Sequence, residues 1–244
     1  MNTPQPTQPA PSVQADKPAL IEVRGVSRVY KQGLVEVHAL RGVDLDIGAG
    51  EFTALVGPSG SGKSTLLNVI GALDAPTAGT VRIGGELATG RSRAAGANFR
   101  LHNVGFVFQA YNLLPVFSAF ENAEYTLMLQ GVPRAERKAI VMPLLERVGL
   151  ADMANRRPHE LSGGQQQRIA VVRAIAPRPR LVLADEPTAN LDSHTSGELI
   201  GLMQELNAEH GITFVFASHD EHLMERARRV VHLRDGLVER DEVR

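Results

Sequence analysis

One run of the chain has the residue types and spacing to hold phosphate. Gly57-Pro58-Ser59-Gly60-Ser61-Gly62-Lys63-Ser64-Thr65 fits G-x-x-x-x-G-K-[ST]. Its glycines let backbone N–H groups close around phosphate oxygens, and a helix starting after Gly62 would add the positive end of its dipole. Lys63 is then placed to reach β- and γ-phosphates, and the Ser64 hydroxyl to ligate Mg²⁺. At ordinary residue frequencies a chance match in a chain of this length has a likelihood on the order of 1%. A second acidic element is needed to hold the metal from the other side. The apolar run Leu181-Val182-Leu183-Ala184 ends in Asp185-Glu186, where the carboxyl end of a buried strand gathers ligands. Asp185 reads as the metal-side carboxylate, and Glu186 as the general base that polarises the attacking water. A third run, Leu161-Ser162-Gly163-Gly164-Gln165-Gln166-Gln167-Arg168, reads as a serine-capped helix start. Its exposed N–H groups and the Ser162 hydroxyl would form a second phosphate cradle.

These residues require strands and helices in alternation. Alternating or continuous apolar runs predict strands over residues 20–23, 35–40, 43–47, 52–56, 81–83, 104–108, 181–184 and 212–217, with turns at Gly33, Gly42 and Gly48. The strand over 104–108 delivers Gln109 at its end. Helical periodicity predicts a helix after Gly62 with Leu66, Leu67, Val69 and Ile70 buried, then helices over 119–129 and after Pro133. Pro133 is expected in the first turn of its helix, and Pro143 is expected to kink or break it. Further helices are expected from Ser162 to about Ile175, over 195–209 and after Asp220, with a closing hairpin at Asp235-Gly236. Strands alternating with helices imply a mostly parallel sheet covered on both faces.

Composition narrows the partners. The chain has 244 residues, 43% of them hydrophobic, which is enough for a sizeable core, and a net charge of −1 gives no bulk case for nucleic acid or anionic lipid. The absence of cysteine excludes disulfides, thiol catalysis and cysteine-ligated metal. Apolar stretches fall short of the roughly 18–20 residues that span a bilayer, so direct membrane insertion is not expected. The N-terminus lacks a signal-peptide pattern, which makes the cytosol the default. Residues 1–18, rich in Pro, Gln, Thr and Ser, read as a disordered tail before a folded unit over 19–244. His102, His159 and His232 have no metal-ligand spacing and read as structural or exposed. Arg226, Arg228 and Arg229 read as a solvated helix face.

Taken together, the three runs resemble an ATP-binding-cassette (ABC) ATPase from about Leu20 to the C-terminus. The resemblance implies an α/β P-loop fold with a mostly parallel sheet core, an antiparallel β region and an inserted helical subdomain over about 110–160. It implies ATP and Mg²⁺ as ligands. Tyr30 would stack on adenine, Gln109 would sense metal and water, and His219 would hold the γ-phosphate. Residues 161–165 would be read by the opposite protomer, and Ala189-Asn190-Leu191-Asp192 would contact it. The implied partners are a second copy and an integral membrane permease, with no nucleic acid and a peripheral place on the inner face of the cell membrane. Without the resemblance, Tyr30, Gln109 and His219 read as a surface aromatic, a strand-end polar residue and a structural histidine.

Within the family, residues 161–168, 186–192 and 106–115 are similar to the ATPases of lipoprotein-releasing and macrolide-exporter systems. Ala189 stands where glycine is usual, and Ala217-Ser218 where threonine usually precedes the histidine. A soluble ABC ATPase acting on DNA or ribosomes would call for a long coiled-coil insertion, a second cassette or a strongly basic surface. None is visible. A small-molecule kinase would leave residues 161–168 without a role. The apolar stretch of Tyr111, Leu113, Leu114, Pro115, Val116 and Phe117 is a candidate docking loop for the membrane partner.

Overall fold

A computed structural model describes residues 19–33 and 35–244. The expected tail over residues 1–18 lies outside the described residues.

The chain opens with two long antiparallel strands, β1 (Ala19–Gln32) and β2 (Val35–Gly48). The turn expected at Gly42 is instead a bulge inside β2. Val43 pairs with Val26 and Arg41 with Ser27, so Gly42 is left over at φ +85°, a backbone state glycine enters without a Cβ penalty. The next strand, β3 (Phe52–Val56), is buried at every position, and the P-loop leads from it into α1 (Lys63–Ile70). Strands β4 (Ala78–Ile83) and β5 (Glu86–Leu87) complete a four-stranded antiparallel sheet in the order β2-β1-β4-β5.

The helix that follows, α2 (Arg93–Asn103), was not expected. It buries only Gly96 and Phe99, too few apolar positions to write a helical period. Ser92 caps it through the Ala95 N–H, and Arg91 lies 4.2 Å over the Phe99 ring.

After β6 (Val104–Phe108) come α3 (Ala119–Leu129) and α4 (Arg134–Arg147), two short 3₁₀ turns, and α5 (Gly163–Ile175). Pro133 is the N-cap of α4 rather than a first-turn residue, and α4 runs unbroken through Pro143. Pro143 and Ala139, whose carbonyl loses its helical partner, both lie on the exposed side, where water can satisfy that oxygen. Helices α3, α4 and α5 share a core of Ala119, Ala123, Leu127, Val141, Leu145 and Ile169. Asn122 of α3 is fully buried and pins the segment before it. Its Oδ1 accepts from the Leu114 N–H at 2.7 Å, and its Nδ2 donates toward the carbonyls of Leu114, Phe117 and Ser118 at 3.0–3.1 Å.

The remaining elements are β7 (Leu181–Asp185), α6 (Ser193–His210), β8 (Thr213–Ala217), α7 (Glu221–Arg226), β9 (Arg229–Arg234) and β10 (Leu237–Val243). They form, with β3 and β6, a six-stranded sheet in the order β10-β9-β3-β8-β7-β6. The strands from β9 to β6 are parallel, and β10 is antiparallel at the edge. One face packs on α1 and the antiparallel sheet, the other on α5, α6 and α7. Parallel strands covered on both faces are buried along their whole length, as β3 and β8 are, and their residues are apolar except for Thr53 and Thr213.

Arg229 does not belong to a solvated helix face. It starts β9 at 16% side-chain exposure, gripping Asp241 at 2.7 and 2.9 Å and Glu51 at 3.1 Å. The Asp241 hydrogen bonds and the Glu51 charge hold its guanidinium above the ordinary arginine range despite burial.

Candidate functional site

Three parallel strands end side by side, and the segments leaving them carry the chemistry. β3 runs into the P-loop, β7 into Asp185 and Glu186, and β8 into Ser218 and His219. The loop after β3 is forced to be glycine at two places. Gly57 has φ +148°, and a Cβ there would stand 2.1 Å from the Leu233 carbonyl oxygen. Gly62, the αL N-cap of α1, would bring a Cβ to 2.6 Å from the Ala39 carbonyl oxygen. No other residue type allows so close a backbone approach. Lys63 is buried, with its ammonium donating to the carbonyls of Gly57 at 2.8 Å and Pro58 at 3.1 Å. Pro58, Ser59 and Gly60 are exposed at the tip, while Ser61 is buried and its Oγ has no hydrogen-bond partner among the described residues. Ser64 is exposed and Thr65 half-buried on the first turn of α1.

The two acidic residues behave differently. Ser64 Oγ donates to Asp185 Oδ1 at 2.8 Å, which joins the P-loop helix to β7. Burial pushes the Asp185 carboxyl up from the ordinary range; the Ser64 hydrogen bond pulls against this, the Glu186 charge adds to it, and Lys63 opposes it. Glu186 has φ +47°, a costly state for a residue other than glycine, held by its N–H to the Ala217 carbonyl at 2.8 Å. Its Oε1 lies 2.8 Å from His219 Nδ1, and its Oε2 accepts from Ser218 Oγ at 3.2 Å.

Gln109 leaves β6 exposed, one residue past the pairing of Phe108 with Asp185, and its carbonyl accepts from Asn190 Nδ2 at 2.9 Å. The two residues that follow closely, Tyr111 and Asn112, take φ of +58° and +50°. Arg173 of α5 holds both of their carbonyls, at 2.9 and 2.6 Å, and burial pulls its guanidinium below the ordinary arginine range. This clamp was not foreseen; a lone arginine in a helix carries no sequence signal for it.

Ser162 caps α5 as expected, in a reciprocal capping box: the Gln165 N–H donates to Ser162 Oγ at 3.3 Å and the Ser162 N–H to Gln165 Oε1 at 2.9 Å. The glycines between them pack closely against side chains of neighbouring segments. A Cβ on Gly163 would meet Tyr111 Oη at 2.7 Å, and one on Gly164 would meet Thr195 Cγ2 at 2.7 Å. Among the described residues no hydrogen bond joins 162–165 to the P-loop of the same chain. Nor, among the described residues, does a hydrogen bond join Tyr30 to it: the ring sits under the Arg28 guanidinium at 4.5 Å, and its hydroxyl donates to Asp74 at 2.7 Å. His102 and His159 are exposed and His232 is half-buried on β9.

The profile of the family described as ABC transporter matches residues 40–189. The chain belongs to the ABC transporter family. It is 49% identical over 222 residues to the lipoprotein-releasing system ATP-binding protein LolD of Anaeromyxobacter dehalogenans, covering 91% of this chain and 93% of that one. The pyoverdine export ATP-binding/permease protein PvdT of Pseudomonas fluorescens is 47% identical over 226 residues, and there the cassette spans 92% of its own length but 34% of the relative's. The dimeric structure of the bacterial ABC transporter cassette MJ0796 superimposes with a TM-score of 0.85 at 41% identity, over 91% of this chain and 98% of that one. The same neighbour in a dimeric post-hydrolysis state bound to ADP and Pi gives a TM-score of 0.84. The cassette is therefore an ATPase of the ABC family, with the P-loop α/β fold that its motifs imply. Among the described residues no helix is long and apolar enough to cross a membrane.

Proposed function

We propose that two copies of this chain close around two Mg-ATP and use hydrolysis to drive an integral membrane permease of an export or lipoprotein-release system. The observation that carries the reading is the meeting of Ser64, Asp185, Glu186 and His219 at the ends of neighbouring parallel strands. In it, P-loop N–H groups and Lys63 hold the phosphates, Tyr30 meets the adenine, and Gln109 faces metal and water. Ser162, Gly163, Gly164 and Gln165 serve the other copy's nucleotide, which fits their lack of bonds to their own P-loop. Residues 189–192 lie beside them against that second copy.

Mg²⁺ fits the donor set present: Ser64 and Asp185 supply hard oxygens at one point, and this ion commonly takes few protein ligands and completes its shell with phosphates and water. When bound it would neutralise charge on the β- and γ-phosphates. Glu186 then takes the proton of the attacking water while His219 steadies the γ-phosphate.

The folded unit in this reading is 19–244, with about 110–160 as a helical subdomain, and the site is peripheral at the inner face of the cell membrane. The relatives named as ATP-binding/permease proteins support a permease partner. Its docking place is a groove of about 370 Å³ walled by Leu73, Leu101, Phe106, Phe108, Tyr125 and Leu129. Of the apolar candidate docking stretch over 111–117, only Asn112 lines that groove, although Val116 is 70% exposed.

Glu186→Gln tests the reading. It should bind ATP, hydrolyse it at least ~100-fold more slowly, and accumulate as a dimer in light scattering. Monomer alone under saturating ATP, with a normally active wild type, counts against the two-copy site.

A further inference from the structure

Glu186 is fixed by the strand beside it, and the residue doing so was visible in the sequence only as a small departure. Ser218 leaves β8 with no exposed surface, and its N–H donates to the Leu55 carbonyl at 3.1 Å, which fixes its backbone against β3. Its Oγ accepts from the Asp220 N–H at 3.1 Å, so the hydroxyl proton must point elsewhere. The acceptor it meets is Glu186 Oε2, at 3.2 Å. Asp220 is itself held, by Thr188 Oγ1 at 2.6 Å, so the segments leaving β7 and β8 are stitched together around the carboxylate.

The other contact to that carboxylate is of a different kind. His219 is 74% exposed against 19% for Glu186, so the imidazole can turn away at little cost while the serine cannot. We propose that Ser218 is the positioning residue of Glu186: it holds Oε2 in place and leaves Oε1, the oxygen on the His219 side, to receive the proton of the attacking water. This rests on the reading of Glu186 as the general base. A hydroxyl in this position sets the angle of the carboxylate in a backbone already strained at Glu186, where small errors in geometry are expensive in rate.

The test measures kcat and KM for ATP, with melting temperature alongside, on the full chain carrying Ser218→Ala, Ser218→Cys or Ser218→Thr. Ser218→Ala should lower kcat about 10-fold, the scale for losing a hydrogen bond to a charged group, with KM within about twofold. Ser218→Cys keeps the shape but offers only a weak donor, and should stay as slow as the alanine variant. Ser218→Thr keeps the hydroxyl and should return kcat to within about threefold of wild type. Wild-type kcat in the alanine or cysteine variant overturns the proposal, as does a folded threonine variant as slow as alanine. If the extra methyl unfolds the threonine variant, the alanine and cysteine pair still decides. Glu186→Gln separates the two claims: wild-type turnover there removes the base itself, whereas a slow Glu186→Gln beside a fast Ser218→Ala removes only the positioning.

Discussion

Truncating Asn122 to alanine should cost this protein more than any surface substitution, and the amount follows from which groups lose their partners. The side chain makes contacts to four backbone groups of the segment before α3. Two of those groups have a second partner: the Leu114 carbonyl also accepts from the Phe117 N–H, and the Ser118 carbonyl from the Asn122 N–H. The Leu114 N–H and the Phe117 carbonyl are the ones left bare. At about 1–3 kcal/mol for each buried unsatisfied group, reduced where water enters this half-buried segment, the loss is about 2–4 kcal/mol. For a domain of this size that is a fall in Tm of roughly 5–15 °C. Urea unfolding and calorimetry give the two numbers, and amide exchange should quicken over residues 113–118. Asn122→Asp sharpens the test. It keeps an acceptor for the Leu114 N–H but turns a carboxylate oxygen on three carbonyls, so it should be at least as harmful as alanine. A loss under about 0.5 kcal/mol in the alanine variant, or a milder aspartate, refutes the hydrogen-bond reasoning.

Two more outcomes are expected. Because burial raises the Asp185 carboxyl, the fold binds that proton more tightly than the unfolded chain does, so stability falls as pH rises through the carboxylate range. Asp185→Asn removes that term: Tm at neutral pH should exceed wild type, the gap should close on acidification, and hydrolysis should be lost; an equal or lower neutral Tm contradicts the desolvation argument. Lys63→Ala and Ser162→Arg should each be inactive alone, the first through weakened phosphate binding. Mixed dimers of the two should regain partial turnover, and confirmed mixed dimers with none would count against Ser162 acting on the other copy's nucleotide.

Much of the scaffold could be read from residues that answer to one local rule. Ser162 and Asp220 cap helices as their short side chains dictate, and residues 181–184 form a strand covered on both faces, while Asp192 caps α6 two residues ahead of the start expected at 195. The sequence also pointed to Lys63, Ser64, Asp185 and Glu186, which do meet, because each follows a strand whose pattern is unmistakable. What escaped depended on contacts far along the chain. Arg229 looked solvated beside Arg226 and Arg228 because Glu51 and Asp241 are invisible from its own neighbourhood. Gly42 looked like a turn because a bulge and a turn make the same local demand for positive φ. Ser218 is legible only as a missing threonine, since its hydrogen-bond partner Glu186 lies 32 positions away, just past β7. Helix α2 escapes for the opposite reason: its one large buried side chain is Phe99, and its other ties, such as Arg100 to the Ala72 carbonyl at 2.6 Å, leave little pattern to see.

The place of β3 in the sheet sets an order of events during synthesis. The strand that leads into the P-loop is made early, yet both of its neighbours, β8 and β9, come from the last part of the chain. Gly50 bonds to Thr213, 163 positions later, and Glu51 to Arg229, 178 positions later. The Leu233 carbonyl oxygen that forbids a side chain at Gly57 is later still. A ribosome adding residues one by one therefore releases the P-loop with β2 already made but long before β8 and β9 exist to finish shaping it. Such distant pairings slow folding and leave strands unpaired in the meantime. They also mean that a nascent or prematurely terminated chain lacking β9 is without both a sheet neighbour of β3 and the Leu233 carbonyl that packs against Gly57 of the phosphate site.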